Sequence, residues 1–129
     1  MIKGVGTDLV RTTRIASSLE KFGERFAEKI LATGEMADFK SSKDKAKFLS
    51  KRFAAKEAVA KALGTGMGAG VHFKLIEVTH KASGAPAVLL HGAAQQRATK
   101  LGVTHTHLSI SDEEGLAQAF SVLEGESIA

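Results

Sequence analysis

The chain reads as an α+β domain in which a mainly antiparallel sheet packs with one long helix, and three observations predict this. Residues 41–63 form an alanine-rich stretch with apolar side chains at helical spacing, stopped by Gly64 in the way a glycine commonly ends a helix. Past a glycine-rich segment at 67–70, the apolar period changes to two, the period of strands. The length of 129 residues, 43% hydrophobic and 25% charged, is that of one ordinary soluble domain, so residues 1–129 are read as a single unit.

Taken in order, Ile2, Val5, Leu9 and Val10 mark a first strand over 1–10, broken by Gly4 and Gly6 and ending at or near Asp8. Thr12 or Thr13 is then placed to cap a helix in which Ile15, Leu19, Phe22 and Phe26 recur at helical spacing, with Gly23 as a break or kink. Arg14, Ser18, Lys21 and Arg25 form a second stripe along it. Thr33 is read as the cap of a short helix through Phe39, and Ser41 or Ser42 as the start of the long helix to Leu63. Strands follow over 73–79, 87–91, 104–111 and 116–123. Ser83-Gly84-Ala85-Pro86 turns between the first two, a helix over 93–101 separates the pairs, and Asp112-Glu113-Glu114-Gly115 joins the last two as a hairpin.

Composition excludes several classes of function. Without cysteine there is no disulfide scaffold, thiolate zinc site or cysteine nucleophile. No apolar run approaches the length that spans a bilayer, and no apolar segment follows the early lysine as a secretory signal would require, so a cytoplasmic protein with no membrane partner is expected. A net charge of +4 favours acidic partners. Phenylalanine is the only aromatic type, however, so the Tyr and Trp platforms common in single-strand binders are missing and no nucleic acid partner is expected.

Chemistry concentrates in two blocks. At about 3.6 residues per turn, Phe48, Ala55, Val59 and Ala62 share one face of the long helix and Glu57 points about the opposite way. Glu57 shares a stripe with Phe53 one turn before it and Lys61 one turn after. Alone, Glu57 and Lys61 make an ordinary (i, i+4) surface pair. The second block, Gly6-Thr7-Asp8-Leu9-Val10, sets another lone acid at the end of an apolar run, where it reads as a turn or cap residue or as a partner for Glu57 on one hard cation. His105 and His107 alternate onto one strand face like a two-histidine metal clip, but no third soft ligand accompanies them.

The run Lys56-Glu57-Ala58-Val59-Ala60-Lys61-Ala62-Leu63-Gly64-Thr65-Gly66 closely resembles the signature of the bacterial holo-acyl-carrier-protein synthases, a branch of the 4′-phosphopantetheinyl transferases. Gly6-Thr7-Asp8 matches the other hallmark of that family. The resemblance extends through Arg52-Phe53-Ala54-Ala55, the turn at 84–86 and His107-Leu108-Ser109-Ile110-Ser111, and so covers nearly the whole chain. It implies a 4′-phosphopantetheinyl transferase-like fold and transfer of the phosphopantetheine arm of coenzyme A to a serine of apo acyl carrier protein, in support of fatty acid biosynthesis. It further implies Mg2+ held by Asp8 and Glu57, with Lys61 neutralising the pyrophosphate and Glu57 accepting the serine proton. Coenzyme A contacts are implied for Arg52, Lys61, Gly64, Gly66, Ser83, Gly84, Pro86, His107 and Ser109, and carrier-protein docking for Arg14, Lys21 and Arg25. Assembly as a homotrimer with sites between subunits is likewise an implication of the resemblance.

Two departures stand out from the family pattern. Ala85 occupies the turn position where the family usually carries lysine, and Arg11 follows Asp8-Leu9-Val10 where an acid is common. Two other classes use similar residues. A magnesium-dependent phosphodiesterase would commonly place lysine two positions after the second acid, whereas Lys61 lies four beyond Glu57. A basic nucleic-acid-binding protein would need neither acid and would lose affinity steeply with salt.

Overall fold

In the computed structural model, which describes residues 1–127, the chain opens with β1 (Ile2–Arg11), followed by α1 (Thr12–Phe22) and α2 (Glu24–Ile30). A short 3-10 turn (Thr33–Glu35) leads into α3 (Met36–Ser41) and the central helix α4 (Lys45–Ala62). A second 3-10 turn (Phe73–Leu75) precedes β2 (Ile76–His80) and β3 (Pro86–Leu90), and α5 (Gly92–Leu101), β4 (Val103–Glu113) and β5 (Leu116–Gly125) complete the fold. All pairings are antiparallel: β1, β5 and β4 form one sheet in that order, and β2 with β3 forms a second. The expected α+β class is the observed one.

α4 lies across the three-stranded sheet, against β1 and β5 above all, and the reason is steric. Gly4 and Gly6 do not break β1, which runs on past Asp8 to Arg11 with Asp8 paired to Ala119. Instead they admit the helix: a Cβ at Gly4 would stand 1.9 Å from the Ala62 carbonyl oxygen, and one at Gly6 would stand 2.0 Å from that of Ala58. With Ala54, Ala55, Ala58 and Ala62 fully or nearly fully buried, small residues on both sides bring the two backbones together. The first half of α4 is packed in a cluster with Val10, Ile15, Ile30, Leu31 and Phe39, and its second half in another with Ile76, Ala94 and Leu123.

Several expected boundaries move. Gly23, at φ +65°, does divide α1 from α2. Neither Thr12 nor Thr13 caps α1, whose cap position is Arg11 with no side-chain bond; the Thr12 amide instead donates to the Gly115 carbonyl of the β4–β5 hairpin. Thr33 is likewise no cap, because the Glu35 carboxylate reaches back to accept from the Ala32 amide and shapes that turn. α4 starts neither at Ser41 nor at Ser42, where α3 ends on extended backbone, but after Asp44, whose carboxylate accepts from the Lys47 amide at 3.0 Å. The expected strand over 73–79 opens as the 3-10 turn and becomes strand only at Ile76.

α4 also lacks the single apolar face read from its sequence. Leu49, Ser50, Arg52, Lys56, Ala58 and Ala60 are buried at widely separated angles, so the helix is enclosed on most of its circumference. Two of its cations are inside. Lys56, fully buried, donates to Glu35 Oε1 at 2.5 Å and to the carbonyls of Ile30 at 2.6 Å and Phe73 at 3.2 Å. Arg52, 5% exposed, donates from Nη1 to Glu35 Oε2 at 2.9 Å and to the Val78 carbonyl at 3.2 Å, with its guanidinium over Phe48. Burial pulls the Lys56 ammonium below the ordinary lysine range while the Glu35 charge pushes it back up.

Candidate active site

Over its last two and a half turns α4 leaves one narrow strip accessible: Phe53 and Glu57 are half-buried and Lys61 is exposed, with Gly64 exposed just past the helix end. These four follow each other at four, four and three residues, so they stack along one line of the helix. β1 lies beside that line because its glycines permit close approach, and alternation along the strand points Asp8 to the same side as Gly6. Lys61 Nζ consequently donates to Asp8 Oδ1 at 3.1 Å and to the Thr7 carbonyl at 3.0 Å. The first strand and the long helix, 53 residues apart in sequence, thus meet at the residues singled out from sequence.

The electrostatics of this corner are unresolved within the chain. Burial pushes the Glu57 carboxyl above the ordinary carboxylate range, and the neighbouring Asp8 charge pushes it further. Lys61 and Arg14 act the other way without offsetting this, and no hydrogen bond contributes. Lys61 keeps a half-exposed side chain, at 51%, while that of Asp8 is 16% exposed. Two close carboxylates, accessible and incompletely compensated, suit a small hard cation that takes oxygen ligands. Among the described residues no group of three or more His, Cys, Asp or Glu is arranged to hold a metal, so a dedicated all-protein cage is not what the donors offer.

At the end of the strip, the backbone turns through Gly64 at φ +81° and Gly66 at φ +57°, conformations that side-chain-bearing residues rarely adopt. The Gly66 amide donates to the Ala60 carbonyl, and Arg97 of α5 caps the helix by donating Nε to the Leu63 carbonyl at 2.8 Å. Arg97 was not singled out by sequence; a basic residue 34 positions away carries no local signal of capping.

The other expected contacts are not brought here. His107 and Ser109 project from β4 opposite to Leu108 and Ile110, which pack on the core, so the sheet stands between them and Glu57. His107 Nε2 pairs with Glu124 Oε1 at 2.9 Å on that open face. Ser83 and Gly84 lie in the exposed β2–β3 turn and Pro86 opens β3, with no hydrogen bond or ion pair from them to Asp8, Glu57 or Lys61 among the described residues. Arg52 is turned mostly inward: its Nη1 donates to Glu35 and to the Val78 carbonyl, and the residue reaches the surface only where it lines a groove beside α4.

Sequence reading missed a groove of about 360 Å³ whose lining includes Lys43, Asp44, Lys47, Phe48, Lys51 and Arg52, with His80 and Ile110. Its signal was present in the spacing of Lys43, Lys47 and Lys51 at four residues, where an aromatic neighbour makes a basic, partly apolar trough. Arg14, expected on a docking surface, lies over the Phe53 ring at 5.5 Å and within electrostatic reach of Glu57, so it borders the strip itself. Lys21 and Arg25 lie farther along: Lys21 over the exposed Phe22, and Arg25 in a groove with Phe22, Phe26 and Lys29.

Comparison with known proteins agrees over nearly the full length. The family model of the 4′-phosphopantetheinyl transferase superfamily matches residues 4–121. The holo-[acyl-carrier-protein] synthase of Halorhodospira halophila is 50% identical over 123 residues, covering 95% of this chain and 98% of that protein. The crystal structure of holo-[acyl-carrier-protein] synthase from Neisseria meningitidis superposes with a TM-score of 0.90 at 42% identity, covering 96% of this chain and 99% of that one. The Helicobacter pylori holo-[acyl-carrier-protein] synthase, solved in complex with coenzyme A, superposes with a TM-score of 0.81 at 29% identity, covering 93% of this chain and 99% of that one.

Proposed function

The chain belongs to the 4′-phosphopantetheinyl transferase superfamily, and from that premise we infer that it transfers the 4′-phosphopantetheine arm of coenzyme A to a serine of apo acyl carrier protein. The products are holo acyl carrier protein and adenosine 3′,5′-bisphosphate. The observation that carries the reading is the meeting of Asp8, Glu57 and Lys61 on one accessible strip. In the reaction the serine oxygen bonds to the pantetheine-side phosphorus, the bond from that phosphorus to the bridging oxygen breaks, and negative charge accumulates on the departing bisphosphate.

Asp8 and Glu57 would hold Mg2+, which supplies Lewis-acid neutralisation of the diphosphate oxygens when bound. Lys61, with one side toward Asp8 and half its side chain open, is suited to follow the leaving phosphate as charge builds. The serine proton would pass to Glu57, directly or through a water that it holds. Gly64 and Gly66 leave backbone open to the pantetheine phosphate. The basic trough of Lys43, Lys47 and Lys51 is a further candidate for the nucleotide phosphates.

Coenzyme contacts at Ser83, Gly84, Pro86, His107 and Ser109 require a second copy of the chain, since the sheet separates His107 and Ser109 from the acids. The open sheet face supports such an assembly, with Val5 54%, Leu9 60% and Phe120 46% exposed. A homotrimer with sites between subunits is our reading; light scattering that gave only monomer at micromolar concentration would defeat it. Along α1 and α2, Arg14, Lys21 and Arg25 would steer an acidic carrier helix, with Phe22 as an apolar contact. In this reading the enzyme works in the cytoplasm and supplies fatty acid biosynthesis; no helix of the described residues is long and apolar enough to cross a membrane.

The test is direct: incubate the protein with apo carrier, coenzyme A and Mg2+, and weigh the carrier by mass spectrometry. A carrier heavier by one phosphopantetheine group, with Asp8→Asn and Glu57→Gln both inactive yet folded, is expected. A carrier of unchanged mass across several acyl carrier proteins defeats the activity, and an active Glu57→Gln defeats the metal assignment.

A further inference from the structure

Directly beside Glu57 in sequence, Lys56 performs no step of the chemistry above, yet its ammonium is fully buried and completely partnered. Its three N–H donors have three acceptors: Ile30 at the end of α2, Glu35 in the 3-10 turn, and Phe73 before β2. Glu35 is used to the same degree, since Oε1 also accepts from the Ala32 amide and Oε2 accepts from Arg52. The cluster therefore ties two successive turns of α4 to three separate segments.

Stability alone does not account for such an arrangement, because apolar residues of similar volume commonly hold a protein interior as well as a buried ion pair does. What directional bonds add is a single rotational setting. The sheet side of α4 has particular need of one. Between 54 and 62 it presents Ala54, Ala55, Ala58 and Ala62, and across Ala58 and Ala62 it meets Gly4 and Gly6. Small side chains on both surfaces permit close approach but offer few large groups to interdigitate and resist rotation. A helix turning slightly there would carry Glu57 away from Asp8.

We propose that Lys56, clamped by Glu35 and the Ile30 and Phe73 carbonyls, is a positioning residue that fixes the rotation of α4 and thereby holds Glu57 opposite Asp8. This rests on reading Asp8 and Glu57 as the metal pair, and the experiment separates the two. Mn2+ is titrated into the full-length protein with coenzyme A and no carrier, and the free ion is followed by its electron paramagnetic resonance signal. Glu57→Gln should abolish tight binding; if it binds like wild type, the metal reading fails whatever Lys56 does. Lys56→Met and Glu35→Gln should each raise the Mn2+ dissociation constant about tenfold or more, with the KM for the carrier changed by less than about twofold in Glu35→Gln, whose side chain bonds to neither α1 nor α2.

A matched core variant, Leu90→Ala, supplies the control: it removes a partly buried side chain on β3, a strand that is not packed against α4, and should lower the melting temperature while leaving the Mn2+ constant as in wild type. Wild-type Mn2+ affinity in both Lys56→Met and Glu35→Gln overturns the proposal, as does an equal loss in Leu90→Ala. Where Lys56→Met does not fold, Glu35→Gln, which retains size and hydrogen-bonding atoms, decides the matter alone.

Discussion

Two clusters of opposite charge sit on adjacent sides of α4, and they differ in almost every respect. Glu35 with Lys56 and Arg52 is dry, and all of its short contacts are made within the domain. Asp8 with Glu57 and Lys61 is open on one side: among the described residues Glu57 accepts no hydrogen bond, and the two carboxylates repel. Similar residue types thus produce a fastener in one place and an accessible, incompletely compensated corner in the other. Completeness of partnering, more than the presence of charge, separates a structural cluster from a reactive one.

The comparison breaks most visibly at Glu35. Glu35→Ala strands two buried cations and should cost about 3–5 kcal/mol, measured by urea denaturation; a loss below about 1 kcal/mol would mean that the cluster is hydrated and that the contrast drawn here is mistaken. Next comes the contact that creates the open cluster. Gly6→Ala drives a methyl group into the Ala58 carbonyl, and displacement of the helix should cost about 1–3 kcal/mol together with most of the transferase turnover, because Asp8 and Lys61 separate. Turnover at the wild-type rate would show that the approach of α4 to β1 does not set the site.

How far these features were legible from sequence follows from the range of the interactions that make them. The α+β class, the break at Gly23 and the stop at Gly64 are short-range, and they could be read from periodicity and glycine. Asp8, Glu57 and Lys61 carry a motif, so their meeting was anticipated. Gly4 and Gly6 read as strand breakers because glycine's use in a strand depends on what approaches it, and Ala58 and Ala62 lie more than 50 residues away. Lys56 and Arg52 were beyond sequence reading for the same reason: their partners come from Glu35, Ile30, Phe73 and Val78, and a lysine or arginine on a helix is ordinarily solvated. Asp44 displaced Ser41 and Ser42 as the cap of α4 through a single bond to the Lys47 amide, a choice among neighbouring cap formers that composition does not rank.

A smaller and opposite effect is expected in the open cluster. A carboxyl whose native pKa lies above its unfolded value binds more protons folded than unfolded between those two values, so its contribution to stability falls as pH rises through that window. Glu57 is such a group, and its ionised form is a burden on the fold at neutral pH. Glu57→Gln should therefore melt somewhat higher than wild type at neutral pH while losing turnover, with the two melting temperatures converging in mild acid. Calorimetry giving a lower melting temperature for Glu57→Gln at every pH would remove the claim that this corner is strained by its own charge.

The least effect belongs to a third cluster, in which charge meets solvent. Asp112 of β4 takes Lys47 at 3.1 Å and Lys51 at 3.6 Å from α4, an arrangement of one acid between two cations like that at Glu35. The hydrogen bond from Lys47 lowers the Asp112 carboxyl below the ordinary aspartate range, with Lys51 adding to it. The sign is the reverse of that at Glu57: the stabilisation is present above the unfolded pKa and is lost as pH falls through the native one. Water and salt screen this exposed pair, so Asp112→Asn should cost less than about 1 kcal/mol and nearly nothing in strong salt. Burial is then the variable that distinguishes the two acid-between-cations clusters, and a loss at Asp112 as large as that at Glu35 would show instead that the number of ion pairs, not their removal from water, governs what each cluster contributes.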